Sequence, residues 1–212
     1  MDAYSALAGL PGTDERLFGV TIGVVTNNKD PDGLGRVKMS LPWMADQVES
    51  DWARVATPMA GPGRGVYFLP EVNDEVLVAF EHGNPDMPYV LGGLWNGKDK
   101  PPASNSDGKN DVRTIKSRSG NQIRLTDTDG DASIEIIDSS GKNTIVIHAK
   151  DNSITITSGG DITIAADNGK LKLSGNSVEI AATTTVKAEG SQGMDLKSSG
   201  QLTIKGSAVN IN

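Results

Sequence analysis

The residues able to bind a metal or attack a substrate are few and scattered. His82 and His148 are the two histidines, cysteine is absent, and no His-x-His pair occurs. A single chain therefore lacks the clustered nitrogen and sulfur donors that transition metals require. His148 follows Ile145-Val146-Ile147, so strand alternation turns it away from the side those isoleucines share. The run Asp127-Thr128-Asp129-Gly130-Asp131 resembles the start of a calcium loop, with Asp138 at its twelfth position. Ala132 stands where such loops need glycine, and Ile134-Glu135-Ile136 alternates as a strand does, so the run reads as an acidic connecting turn. Gly63-Arg64-Gly65 reads as a turn rather than a phosphate cradle, and no nucleophile elbow, P-loop or dinucleotide fingerprint is present. Asp151, Asp161, Asp167 and Asp195 are spread singly rather than paired for acid–base work. No catalytic residue, metal ligand or cofactor is expected, and the chain does not read as an enzyme.

The bulky side chains that must build a core are unevenly placed. All nine aromatic residues lie at or before Trp95 and all ten prolines at or before Pro102, in a chain of 212 residues. Residues 1–102 carry a net charge of −6 and residues 103–212 a net charge of −1. Buried aromatics remove roughly 150–250 Å² each from water, so the first half can form a globular core and the second must bury its apolar surface differently. The overall charge of −7 and pI near 4.8 argue against a basic surface for duplex nucleic acid or an anionic membrane. No run of about 18 apolar residues suits a membrane span. Met1-Asp2-Ala3-Tyr4 has no basic segment leading into an apolar one, so synthesis without a secretory leader is expected. Pro101-Pro102 and the polar run Ala103–Gly108 mark a linker over 101–112 between a domain at 17–100 and a repeat at 113–212.

Period-two alternation over 18–26, 36–41 and 75–81 predicts strands. It puts Val20, Ile22 and Val24 on one face, Val37, Met39 and Leu41 on another, and Val76, Val78 and Phe80 on a third. Shorter strands are expected at Ala53–Thr57 and Tyr89–Leu94, with turns at Asp30-Pro31-Asp32-Gly33, Gly61-Pro62-Gly63, 70–74 and 83–86. Five short strands in about 80 residues predict an OB-type barrel. Its acidity sets aside the nucleic-acid binding common among such barrels. Trp43, Trp52 and Trp95 read as barrel core or partner contacts rather than a sugar platform.

From Ile154 onward, apolar-polar-apolar triplets recur: Ile154-Thr155-Ile156, Ile162-Thr163-Ile164, Leu171-Lys172-Leu173, Val178-Glu179-Ile180, Val186-Lys187-Ala188, Met194-Asp195-Leu196, Leu202-Thr203-Ile204 and Val209-Asn210-Ile211. Their starts are 8, 9, 7, 8, 8, 8 and 7 residues apart. Looser triplets precede them at Ile123-Arg124-Leu125, Ile134-Glu135-Ile136 and Ile145-Val146-Ile147, spaced by 11, 11 and 9. A fixed period of this kind predicts a solenoid-like array. The outer two residues of each triplet face inward and the middle one outward. Eight extended residues span at most about 26–29 Å, so one octad supplies one face, not a full turn. Three chains together close a triangular prism, and eleven triplets at the interstrand spacing predict about 50–55 Å of it. A lone chain would leave an apolar stripe and an unpaired edge exposed, which predicts an obligate homotrimer. The interior of this needle is expected to be Ile154, Ile156, Ile162, Ile164, Leu171, Leu173, Val178, Ile180, Leu202 and Ile204. The absence of rings fits so narrow a prism.

At the level of words in order, the chain resembles the central spike of contractile injection machines, the group of phage baseplate assembly protein V and the valine-glycine-repeat spikes of type VI secretion. The words are Asp30-Pro31-Asp32-Gly33-Leu34-Gly35-Arg36-Val37-Lys38, Leu41-Pro42-Trp43, Trp52-Ala53-Arg54-Val55, and Gly65 and Pro70. They continue with Asn73–Phe80, Gly83-Asn84-Pro85, Pro88 and Val90-Leu91-Gly92-Gly93-Leu94, and the resemblance covers about residues 17–212. It implies an all-β protein, an OB-type barrel followed by an intertwined trimeric triangular β-helix. It implies a barrel seated on a trimeric hub at the end of the tail tube, and a needle driven into a target envelope. A small metal-containing cap of the proline-alanine-alanine-arginine repeat (PAAR) type often sits on the tip. Hub contacts are expected from the segment 1–16 and from Phe18, Trp43, Trp52 and Trp95. The sequence departs from the family in having no large N-terminal hub domain, no lysozyme-like insertion and no terminal His-x-His motif. A separate hub protein is therefore expected, in a baseplate or phage-tail-like particle. Val209, Asn210, Ile211 and Asn212 are expected to leave a blunt trimer end with open strand edges on which the cap docks. The competing readings are a passive glycan- or protein-binding β module and a β-helical polysaccharide-degrading enzyme.

Overall fold

The computed structural model describes residues 16–43 and 49–210. Among the described residues every regular element is β except one short 3₁₀ turn, and the contacts divide the chain into one unit ending at Gly159 and another beginning at Gly160.

The first unit opens with the expected barrel. Its strands are β1 (Val20–Asn27), β2 (Lys38–Ser40), β3 (Arg54–Val55), β6 (Glu75–Phe80) and β7 (Pro88–Gly93), ordered β2-β1-β6-β7-β3. A small hairpin, β4 (Ala60–Gly61) with β5 (Arg64–Gly65), stands apart from that sheet. All barrel pairings are antiparallel except β3 with β7. The two edge strands meet beside β2 and β3, where Val37 and Ala53 exchange both backbone hydrogen bonds at 3.0 and 2.8 Å. That bridge closes the sheet on itself and removes its edges.

The barrel interior is Val25, Val37, Met39, Leu41, Ala53, Val76, Val78 and Val90, with Val55, Leu69 and Phe80 packed around it. The inward faces of β2 and β6 are those the alternation predicts. Strand β1 departs from it: Val20 and Ile22 face outward and are exposed, while Gly23 and Val25 face in. The reason is space. A Cβ on Gly23 would lie 2.8 Å from Sδ of Met39 and 3.0 Å from Cγ2 of Val78. Methionine therefore fills the volume that an aliphatic residue on β1 would have occupied, and the face with more apolar residues is pushed outside.

The turn after β1 is held by Asp30. Its carboxylate accepts from the backbone N–H groups of Asp32, Leu34 and Arg36, and from Nε and a terminal nitrogen of Arg36 at 2.9 and 2.7 Å. Gly33 takes the positive φ of 67° this turn requires. Arg36 and Lys38 lie over the ring of Trp52 at 5.7 and 5.6 Å from its centre. Asp30 is 4% exposed, and the Arg36 hydrogen bonds hold its carboxyl well below the usual carboxylate range.

Five strands follow in the same unit: β8 (Val112–Lys116), β9 (Gln122–Thr126), β10 (Ser133–Ile137), β11 (Thr144–His148) and β12 (Ser153–Thr157). They form an antiparallel meander in which each strand pairs with its sequence neighbours. This corrects the expectation that the triplets at 123, 134, 145 and 154 stack as rungs of one solenoid. Spacings of nine to eleven leave room for a five-residue strand and a reversing turn, so these segments fold back as hairpins. Beyond Gly159 the spacings fall to seven to nine, and among the described residues 160–210 no strand ladder forms within the chain.

Candidate assembly interface

The meander has two faces of opposite character, and the register defines both. Ile115, Ile123, Ile136, Ile145 and Ile156 are cross-strand partners in one row. Arg113, Leu125, Ile134, Ile147 and Ile154 form the row beside it. Nine aliphatic side chains thus line one face of a five-stranded sheet, and each is between 39% and 68% exposed. Ile115 escapes the triplet pattern because its neighbour two positions earlier is Arg113 rather than an aliphatic.

The other face is polar and better covered. Arg124 donates to Glu135 from Nε at 3.0 Å and again from a terminal nitrogen, and the Ser133 hydroxyl donates to the same carboxylate at 3.2 Å. His148 shares this face with Val146, away from the isoleucines, as alternation requires. The sheet is therefore dressed in reverse for a lone chain, with its apolar side toward water and its ion pairs on the shielded side. The row from Ile115 to Ile156 borders a cleft of about 1060 Å³ whose other wall is the barrel segment Tyr67–Glu71. Arg118 ties that wall to the sheet through Glu71 at 2.7 Å.

The reversing turns are built from their own acids. Asp131 donates its N–H to Thr128 O at 2.9 Å, and Gly130 takes a φ of 71°, so Asp127–Asp131 is a hairpin turn. Asp138 accepts from the Ser140 hydroxyl at 2.7 Å and from Asn143 N and Nδ2, which lower its carboxyl to about 2. Asp138 thus serves the next turn rather than completing a loop with Asp127. Among the described residues, no three His, Asp or Glu side chains converge as a metal site.

The expected needle residues fall in two places. Ile154 and Ile156 lie on β12 at the edge of the meander. Ile162, Ile164, Leu171, Leu173, Val178, Ile180, Leu202 and Ile204 lie in the second unit, all largely exposed. Val209 is exposed there as well, while Ile211 and Asn212 lie outside the described residues.

The four aromatics expected at a hub do not share one patch. Phe18 packs beside Gly83, where Leu17 N–H donates to Gly83 O at 2.8 Å, at the barrel end where β1 begins and β6 finishes. Trp43 follows β2, which runs antiparallel to β1 and so heads toward that same end. Trp95 follows β7 at the opposite end, near Pro102, Lys116 and Arg118. Trp52 is partly buried under Arg36 and Lys38. Residues 1–15 of the expected hub segment lie outside the described residues.

A closed OB-type barrel, a sheet with an exposed aliphatic face and, among the described residues, a repeat without strand pairing of its own define an all-β protein. Residues 21–95 match the family of the type VI secretion system/phage-baseplate injector OB domain. Over 144 residues the chain is 28% identical to the type VI secretion system spike protein VgrG2a of Pseudomonas aeruginosa, covering 64% of this chain and 17% of that one. It is 27% identical over 164 residues to the spike protein VgrG1c of the same organism, covering 72% and 22%. It is 26% identical over 147 residues to the actin cross-linking toxin VgrG1 of Vibrio cholerae, covering 66% and 12%. The chain spans less than a quarter of the length of each of these relatives. Residues 21–95 thus carry the match to that OB-domain family, and the chain is similar over about two thirds of its length to type VI secretion system spike proteins.

Proposed function

We propose that three copies of this chain form a non-enzymatic spike at the tip of a contractile tail or injection particle. In this reading the barrel seats the trimer on a hub, and the repeat forms an intertwined triangular β-helix that punctures the target envelope. The observation that carries it is the uncovered aliphatic face of β8–β12, together with the octad triplets that follow it. Nine half-exposed aliphatics on one sheet face are a liability for a monomer. They become a core when three copies turn them toward a common axis.

The proposed division of labour follows the barrel's ends. The end bearing Phe18, Trp43 and the loop Glu81–Met87 lies away from the meander and is assigned to the hub. Trp95 lies at the meander end and Trp52 is occupied by cations within the barrel, so neither is retained as a hub contact. A PAAR-type cap on Val209–Asn212 belongs to the same reading. Strength under axial load would come from many backbone hydrogen bonds loaded together and from chains wound about one another.

Light scattering on the purified chain at low micromolar concentration tests the assembly. A mass near three times 22.2 kDa is the expected result. A well-behaved monomer overturns the spike reading and returns the chain to the passive binding-module reading.

A further inference from the structure

The geometry points to a ladder of complementary charges on the outside of the repeat that sets the register of three parallel copies of this chain. This rests on the trimeric prism proposed above and goes beyond it, by naming what aligns the chains.

Two ion pairs fix which side chains share a side. Lys187 meets Glu189 at 2.6 Å and Lys197 meets Asp195 at 3.1 Å. Both are pairs two residues apart, as extended backbone requires, and all four side chains are more than 70% exposed. The middle residue of each triplet and the residues two before and two after it therefore form one outward row.

In a prism where each chain steps to the next face after every octad, any one face stacks consecutive octads from different chains. Parallel neighbours lie about 4.7–4.9 Å apart, so equivalent outward positions touch. Reading successive octads in this way places Asp161 against Lys170. Lys172, Glu179, Lys187 and Asp195 then follow one another in alternating sign, and Glu189 falls against Lys197. The single contact between like charges is Lys197 with Lys205. Slipping one chain by an octad brings Lys172 to Lys187 and Glu179 to Asp195, both repulsive. The aliphatic interior, being nearly uniform from octad to octad, does not distinguish these registers. The charges do, which is how opposite-sign and like-sign contacts select pairings elsewhere.

The test uses the full chain and two readouts, solution mass and melting temperature of the trimer in 20 mM and 1 M NaCl. Lys187→Glu faces carboxylates above, below and beside it, and is expected to lower the melting temperature by roughly 2–8 °C in low salt. Lys187→Gln should cost less, and 1 M salt should erase most of the difference. Asp161→Lys and Lys170→Asp should each destabilise the trimer, and the double exchange should restore it. That rescue requires the two octads to be stacked. A trimer indifferent to these reversals, or one not rescued by the exchange, overturns the ladder and leaves the prism standing. A wild-type chain that is monomeric overturns both.

Discussion

The barrel and the meander are neighbours in one unit, written in the same alternating code, and they close by different means. The barrel's edges meet within the chain, at the reciprocal Val37–Ala53 hydrogen bonds, and its apolar faces converge on Met39 with essentially no exposure. Among the described residues the meander's two edge strands, β8 and β12, pair on one side only, and its isoleucines turn outward. Alternation says which residues share a face. It does not say whether that face is covered by the same chain or by another, because burial depends on whether strand number and twist permit closure.

This contrast can be broken from either side. The largest effect is expected from Ile164→Asp, which on the proposed reading buries three like charges at one level of the prism. Each costs several kcal/mol, so the trimer should be lost by light scattering while barrel melting stays in place. The converse is Met39→Ala, which should destabilise the barrel by about 2–5 kcal/mol in denaturant titration and leave the trimer mass unchanged. Gly23→Ala should cost about 1–3 kcal/mol by crowding Met39 and Val78, and a smaller residue at position 39 should recover part of the loss.

The smallest effect concerns pH. Asp30 is held below its ordinary value of 3.8 by Arg36, so the folded state binds its proton less readily than the unfolded chain. Its contribution is therefore complete above that value and is lost as pH falls through it toward the lowered one. Asp30→Asn should lower the barrel's melting temperature at pH 7, and the gap to wild type should narrow between pH 4 and pH 2. A gap that widens on acidification would show that Asp30 does not act through its charge.

Much of the barrel was legible because its turns carry strong local chemistry and its strands alternate cleanly. The inward faces of β2 and β6 could be read directly. The β1 face could not, since the decisive residue is Gly23, which has no side chain to enter a pattern and matters through its neighbours Met39 and Val78. The meander was half legible. Its isoleucines were visible, but whether a polar connection reverses the chain or merely turns a corner rests on two or three residues of length. The shared role of Arg36 and Lys38 over Trp52 left no trace in spacing, because Trp52 lies well beyond any local window.

The hairpin connectivity of the meander also bears on how three chains would find one another. Its strands pair only with sequence neighbours across short turns, an arrangement that closes on the microsecond scale without a partner. The octads after Gly159 have no such local route. For chains assembling as proposed, three finished sheets would meet first, in a slow step that depends on concentration. The repeat would then close behind them octad by octad, in a step that does not. Refolding by dilution should accordingly show a phase that slows as the chain is diluted, followed by one that keeps its rate.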